Sequence, residues 1–310
     1  MTLLAQEDLC YRLAALAPVR RIQKTPESQA MRSSVIITTH NRPYYLDKVL
    51  YGFMHQTEKP HEVVIADDGS SDNTPEIIEK YRQQADFPIL HAWHPFGGMP
   101  QISKTRNNAT RAATGDYLIY TDGDCIPGPQ FVADHRRIAR PGHFVQGRRN
   151  FLQYKGFDSF KGTETSWELV KAWMKGHLTK LHLTIRIPGF ATRSNTTHGV
   201  RSCNLAVWKS DVANINGWNE AFVGFWREDS EFVTRLMRSG VKRLNAVYSA
   251  VVFHMEHEKF FIEADFDRNN ALWEASKTGP VFIEKGMMPP PRPTAISFQQ
   301  PQATSQAKAA

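Results

Sequence analysis

Asp116-Tyr117-Leu118-Ile119-Tyr120-Thr121-Asp122-Gly123-Asp124 is the stretch on which the reading of this chain turns. Its first part has the apolar, aromatic texture of a buried strand, and two carboxylates arrive where that strand stops. Acids one residue apart point the same way in extended chain, so both can reach one cation. Hard divalent ions such as Mg2+ and Mn2+ take oxygen ligands and keep room for phosphate oxygens. Alone, Asp122-Gly123 would read as a turn. The sequence upstream gives it weight.

Val35-Ile36-Ile37-Thr38-Thr39 is a short β-branched run that ends in polar His40-Asn41-Arg42-Pro43. Tyr44 to Gln56 follows with Leu46, Val49, Leu50 and Phe53 at helical spacing. Glu62-Val63-Val64-Ile65-Ala66 is again strand-like and ends in Asp67-Asp68-Gly69-Ser70-Ser71-Asp72. A helix from about Pro75 to Gln84, a strand over Pro88–Ala92 and a helix over Thr105–Ala113 complete the alternation. Strands alternating with helices predict an α/β fold with a mixed, mostly parallel nucleotide-binding sheet flanked by helices. Ligands of such sheets sit beyond the carboxyl ends of the strands. Three strands deposit polar clusters there: Thr38 to Asn41, Asp67 to Ser70, and Asp122 to Asp124.

The expected division is a helical extension over 1–32, with a helix around Asp8 to Leu16, and a main domain over 33–260. Within the latter, 33–150 forms the nucleotide-binding half and 151–260 the acceptor half. A helical segment over 261–288 and a disordered tail over 289–310 follow, the tail opening on three prolines. Ser166 to Lys175 reads as helix, and Ile187 to His198 as a mobile polar loop.

The chain has 310 residues and 41% hydrophobic content, enough for one large domain. No apolar run approaches the roughly 20 residues that span a bilayer. Glu7, Asp8 and Arg12 argue against a signal peptide. Three scattered cysteines form neither a zinc pattern nor a disulfide framework, which fits a cytoplasmic protein. The net charge of +7 suits an anionic ligand or peripheral contact with an anionic membrane. Without a zinc finger, an RNA-recognition signature or a long basic helix, nucleic acid is not an expected partner. The basic pairs, Arg148-Arg149 among them, read as solvated surface.

Further on, Gly217-Trp218-Asn219-Glu220 leads through Trp226-Arg227 to Glu228-Asp229 at the start of a helix bearing Phe232, Val233, Leu236 and Met237. Acids in a first turn complement the helix dipole. Beside two tryptophans they also suit a sugar, whose apolar ring face packs on indole while its hydroxyls meet carboxylates. A strand over Val247–Phe253 ends at His254, which could join Asp122 and Asp124 as a metal ligand; His257 competes for that role.

In this order the segments 34–42, 66–72 and 121–124 resemble a GT-A fold glycosyltransferase of family 2. Ser202-Cys203-Asn204-Leu205-Ala206-Val207, Gly217-Trp218, Glu228-Asp229 and His254 resemble the galactosyltransferase-type C-terminal half of chondroitin-polymerase-like and β-1,4-galactosyltransferase-like enzymes. The resemblance implies an inverting, metal-dependent hexosyltransferase with a UDP-sugar donor and Mn2+ (or Mg2+). Its acceptor would be a glycan or lipid-linked saccharide, in surface polysaccharide biosynthesis. It places Thr38, Asn41, Arg42, Asp67, Asp68, Arg106 and Asp122 at the nucleotide, Asp124 and His254 on the metal, and Trp218 and Trp226 at the acceptor. Glu228 would hold the acceptor and Asp229 would be the base. Related enzymes often carry Gly-Gly where this chain has Trp226-Arg227, and an aromatic at His40. A nucleotidyltransferase would share the sheet and the metal acids, but its early Gly-rich loop with a basic residue is absent. A non-catalytic sugar- or nucleotide-binding module is the rival from another class.

Overall fold

The structure is a computed structural model that describes residues 20–21, 31–258 and 263–288. The expected N-terminal helix and C-terminal tail lie outside the described residues. Strands are β1 Arg20–Arg21, β2 Ser33–Thr39, β3 Glu62–Asp67, β4 Ile89–Trp93, β5 Tyr117–Asp122, β6 Cys125–Pro127, β7 His143–Gln146, β8 Arg148–Leu152, β9 Phe190–Ser194, β10 Asn204–Trp208, β11 Lys242–Ala246 and β12 Val251–Met255. Helices are α1 Pro43–Met54, α2 Thr74–Arg82, α3 Ile102–Ala112, α4 Phe131–Ile138, α5 Ser166–Met174, α6 Lys209–Asn214, α7 Glu228–Arg238 and α8 Glu263–Ser276.

A nine-stranded sheet runs β1-β9-β11-β7-β10-β5-β2-β3-β4. Its β4-β3-β2-β5 end is parallel throughout, as βαβ alternation demands. Strands buried on both faces should read as continuous apolar runs. Here successive residues alternate between two cores. Val35, Ile37, Val63, Ile65, Tyr117 and Ile119 face the core covered by α1 and α2. Ile36, Val64, Leu118 and Tyr120 face the core under α3, α6 and α7. Each fully buried branched side chain of this kind stabilises by about 1.5–3 kcal/mol.

The second half joins the same sheet. β10 lies antiparallel on β5, with Asn204 opposite Thr121, and then pairs with β7. A separate three-stranded sheet, β6-β12-β8, starts directly after Asp124. In it His254 pairs with Cys125, so register brings the histidine beside Asp124.

Two local expectations are corrected. Phe190–Ser194, inside the stretch read as a mobile loop, is a strand held by β11 on one side and β1 on the other. Its polar sequence hides it because pairing, not burial, holds it. The strand expected over Val247–Phe253 starts only at Val251. Ala250 has φ +49°, outside strand geometry, and its N–H donates to the buried Asp134 carboxylate at 3.0 Å. His254 consequently sits within β12.

Candidate active site

The three polar clusters meet. Thr38 pairs with Asp122 and Thr39 with Asp67, so the strands end level. Thr38 Oγ1 donates to Asp122 Oδ1 at 2.7 Å. Gly123 N–H donates to the Thr38 carbonyl at 2.7 Å, and a Cβ on Gly123 would lie 2.9 Å from that oxygen. The turn between the two acids therefore requires glycine.

Asp67 is fully buried. Its Oδ1 accepts from Ser70 N at 2.8 Å, and its Oδ2 lies 2.9 Å from His91 Nε2. Burial would raise its pKa, but the hydrogen bonds of His91 and Ser70 outweigh that and lower it. Asp67 was expected at the nucleotide; in the structure both of its oxygens also hold the loop from within the protein. Asp68 Oδ2 accepts from Gln101 N at 2.8 Å, while its buried Oδ1 has no hydrogen-bond partner, although His94 Nε2 is 3.3 Å away. Asn41, at φ +47°, ties two loops: its N–H donates to Ser70 Oγ and its Oδ1 accepts from Ser71 N. Arg42 lies over the Tyr45 ring. His40 stacks on the half-exposed Phe96 with ring centroids 4.5 Å apart. This aromatic platform beside Asp68 is built partly by Phe96, which follows β4 in a stretch without periodicity and escaped the sequence reading.

Asp124, His254 and His257 place one ligand atom each within 4.8 Å of one another. Both histidines therefore join Asp124. Burial would raise the Asp124 pKa, yet the hydrogen bond from His257 and the charges of both imidazoles hold it down at about 2. Burial pushes His254 down, and its bond to Asp124 pushes His257 up. One carboxylate with two imidazoles is a donor set for a divalent transition-metal ion, and of the two ions expected here Mn2+ accepts imidazole more readily than Mg2+. His254 Nε2 lies 3.7 Å from Asp124 Oδ1, close enough for the two to share an ion.

Arg106, almost fully buried, links the halves. Its guanidinium lies 3.3 Å from Asp122 Oδ1, 3.5 Å from Glu228 Oε1 and over the Trp218 ring. Burial, with the charge of Asp229 beside it, pushes the Glu228 pKa up to about 7 against the pull of Arg106. Trp218, expected at the acceptor, is fully buried and stacked on Phe232 at 3.9 Å; it is a core residue with no ring face left for a ligand. Trp226 keeps 40% of its surface exposed.

Trp226 and Arg227 adopt φ +95° and +71° immediately before α7. Such conformations cost side-chain-bearing residues about 1–3 kcal/mol each. The Gly-Gly that the resemblance implies at these positions would avoid that cost. Here α8 clamps the pair: Asn270 Oδ1 accepts from Trp226 Nε1 at 3.2 Å and Arg227 Nε at 2.9 Å, and Arg227 lies 4.1 Å over Trp273.

Arg149 was read as surface charge, but it stands over Phe151 and 3.9 Å from Cys203 Sγ in the wall of the site. Burial opposes its charge; the thiols of Cys203 and Cys125 and the carboxylates of Asp122 and Asp124 push its pKa up. Strand alternation, which puts Arg149 and Phe151 on one face of β8, was the available signal.

The family model for glycosyl transferase family 2 matches residues 34–197, more than half of the chain. The chain belongs to glycosyltransferase family 2. A model described as the N-terminal domain of galactosyltransferase matches residues 179–258, covering Glu228, Asp229, His254 and His257. Validoxylamine A glucosyltransferase of Streptomyces hygroscopicus subsp. limoneus is 34% identical over 67% of this family 2 chain and 48% of its own length. Chondroitin synthase of Escherichia coli is 25% identical over 72% of the chain and 34% of its own length. The matches thus span less than half the length of these two relatives. The mannosyltransferase structure from Pyrobaculum calidifontis, in complex with GDP-Man and Mn2+, superposes with a TM-score of 0.54 at 16% identity. It covers 81% of this chain and 64% of that one, and agrees in fold, which is GT-A. Among the described residues no helix is long and apolar enough to cross a membrane.

Proposed function

We propose that this chain transfers a sugar from a UDP-sugar to a hydroxyl of a glycan or lipid-linked acceptor, with inversion and with Mn2+ or Mg2+. The carrying observation is the joining of Asp124, His254 and His257 to the Asp122–Arg106–Glu228 chain at the carboxyl ends of the parallel strands. A divalent ion bound by Asp124, His254 and His257 would neutralise the leaving diphosphate. Asp68, Asn41, Arg42 and the His40–Phe96 platform bind and orient the nucleoside. Arg149 adds positive charge on the diphosphate side, and Thr38 with Arg106 fixes Asp122. Trp226 offers the acceptor an exposed indole.

Asp229 takes the proton of the attacking hydroxyl as the new bond to the anomeric carbon forms and the bond to the diphosphate oxygen breaks. Glu228 positions that hydroxyl. One carboxylate base suffices because the leaving group is already good, whereas a glycosidase needs two. One observation favours a second assignment within the same reaction. Glu228, held up at about 7, has the proton affinity of an effective base near neutrality.

The role fits a cytoplasmic enzyme of surface polysaccharide assembly. Its test is incubation with a panel of UDP-sugars and Mn2+. Slow release of UDP from one donor, accelerated by a saccharide acceptor, supports transfer. Binding without turnover supports a non-catalytic module, and formation of a nucleotide sugar from a sugar phosphate supports a nucleotidyltransferase.

A further inference from the structure

Trp167, Trp173, Met174, Leu181, Ile185 and Ile187 are all exposed, Trp167 by 60% and Met174 by 59%. They occupy α5 and the segment behind it, whose short turn Leu181–Thr184 packs against the helix. α5 is a well-made helix. Thr165 Oγ1 accepts from Glu168 N, and the Glu168 carboxylate accepts from Thr165 N at 2.8 Å, a complete capping box. Yet the only side chain it buries is Leu169. Trp167 and Met174, seven residues apart, share an outward face. Contiguous apolar surface of this kind marks an interaction site.

The charges around it are predominantly positive. Between residues 166 and 187 stand Lys171, Lys175 and Lys180 against the single acid Glu168, while Arg186 is bound to the buried Asp134 at 2.7 Å. Lys171 lies over the Trp167 ring at 5.4 Å. Exposed indoles interleaved with lysines are the composition of a helix lying in a lipid interface. A second copy would set these cations against themselves, so charge complementarity selects an anionic surface over self-association. The segment also reaches the active site. Lys180 Nζ lies 5.4 Å over Phe151, whose ring meets His254 edge-on at 5.6 Å.

We propose that α5 and residues 181–187 form a docking face for an anionic lipid bilayer. Trp167, Met174 and Ile185 enter the headgroup layer and Lys171, Lys175 and Lys180 contact lipid phosphates. Docked this way, the wall carrying Phe151 and His254 lies near the bilayer, where a lipid-linked acceptor would be held. The docking itself does not depend on the transfer reaction, and its failure would leave the proposed chemistry standing.

The experiment is co-sedimentation of the full chain with vesicles of phosphatidylcholine alone or mixed with phosphatidylglycerol. Binding to the mixed vesicles only, weakening with salt, is expected. Replacing Lys171, Lys175 and Lys180 by Gln should weaken it roughly a hundredfold, at about 1 kcal/mol per charge. The double variant Trp167→Ala, Met174→Ala should also lose binding while keeping the wild-type melting temperature. Equal affinity for both vesicle types, or variants that bind as the wild type does, would overturn the proposal. So would a wild-type dimer, seen by light scattering, that the double variant dissociates without any vesicle binding, since the face would then belong to a second copy.

Discussion

His257 Nε2 lies 3.1 Å from Asp124 Oδ2, nearer than His254 Nε2, which is 3.7 Å from Asp124 Oδ1. Replacing either histidine by Ala should therefore raise the Mn2+ concentration needed for half-maximal activity by about tenfold or more, whereas the sequence favoured His254 with His257 as its competitor. A metal titration of both variants checks this. An effect confined to one of them identifies the other as a bystander.

The same contact fixes a pH dependence. The bond to Asp124 raises the His257 pKa. In metal-free protein its stabilising contribution is full below the ordinary histidine value and is lost as pH rises through the raised one. Metal and proton compete for the ring. Mn2+ should consequently raise the melting temperature more at pH 8 than at pH 6. An equal increment at both would remove His257 from the ligand set.

Glu228 titrates with the opposite consequence for a variant. Its folded pKa of about 7 exceeds the ordinary carboxyl value, so its contribution to stability is full at acid pH and is lost as pH rises toward and through 7. Glu228→Gln, which imitates the protonated group, should melt higher than the wild type at pH 8 and match it near pH 4.5. Melting curves at the two values decide it. A variant less stable at pH 8 would show that the Arg106 contact outweighs burial.

Asn270 holds the strained Trp226-Arg227 turn in front of Glu228 and Asp229. Asn270→Ala should lower kcat about 10- to 100-fold, because a small misplacement of Glu228 and Asp229 costs that much, while the affinity for UDP stays unchanged. Calorimetric UDP binding beside steady-state kinetics separates the two. Loss of UDP binding would mean that the clamp supports the whole fold.

The nucleotide half was legible because its signals are local. β2, β3 and β5 are apolar runs that each end in a polar cluster, and parallel pairing sets those clusters level. The Asp122-Gly123-Asp124 turn carries its own backbone requirement. What escaped depends on partners distant in sequence. Phe190–Ser194 is a strand only through β11 and β1. Trp218 reads as a sugar platform beside the Glu228-Asp229 pair, but Phe232 and Arg106 bury it in the core. Arg149 looks like half of a surface pair until β8 is set beside β12. Asp67 and Asp68 are indistinguishable in sequence, and only the positions of His91, Ser70 and Gln101 separate them: both Asp67 oxygens are bound within the protein, whereas Asp68 Oδ1 has no hydrogen-bond partner.

The central claim rests on Asp229, and Asp229→Asn tests it most directly. The substitution keeps the shape of the side chain and removes its capacity to take a proton. Measured side by side, UDP-sugar and Mn2+ binding should stay near wild type while transfer to an acceptor falls by roughly 10²–10⁴. If Asp229 only complements the dipole of α7, the change should cost about 0.3–1 kcal/mol of stability with turnover preserved. Transfer at near wild-type rate would contradict the assignment and move the role of base to Glu228.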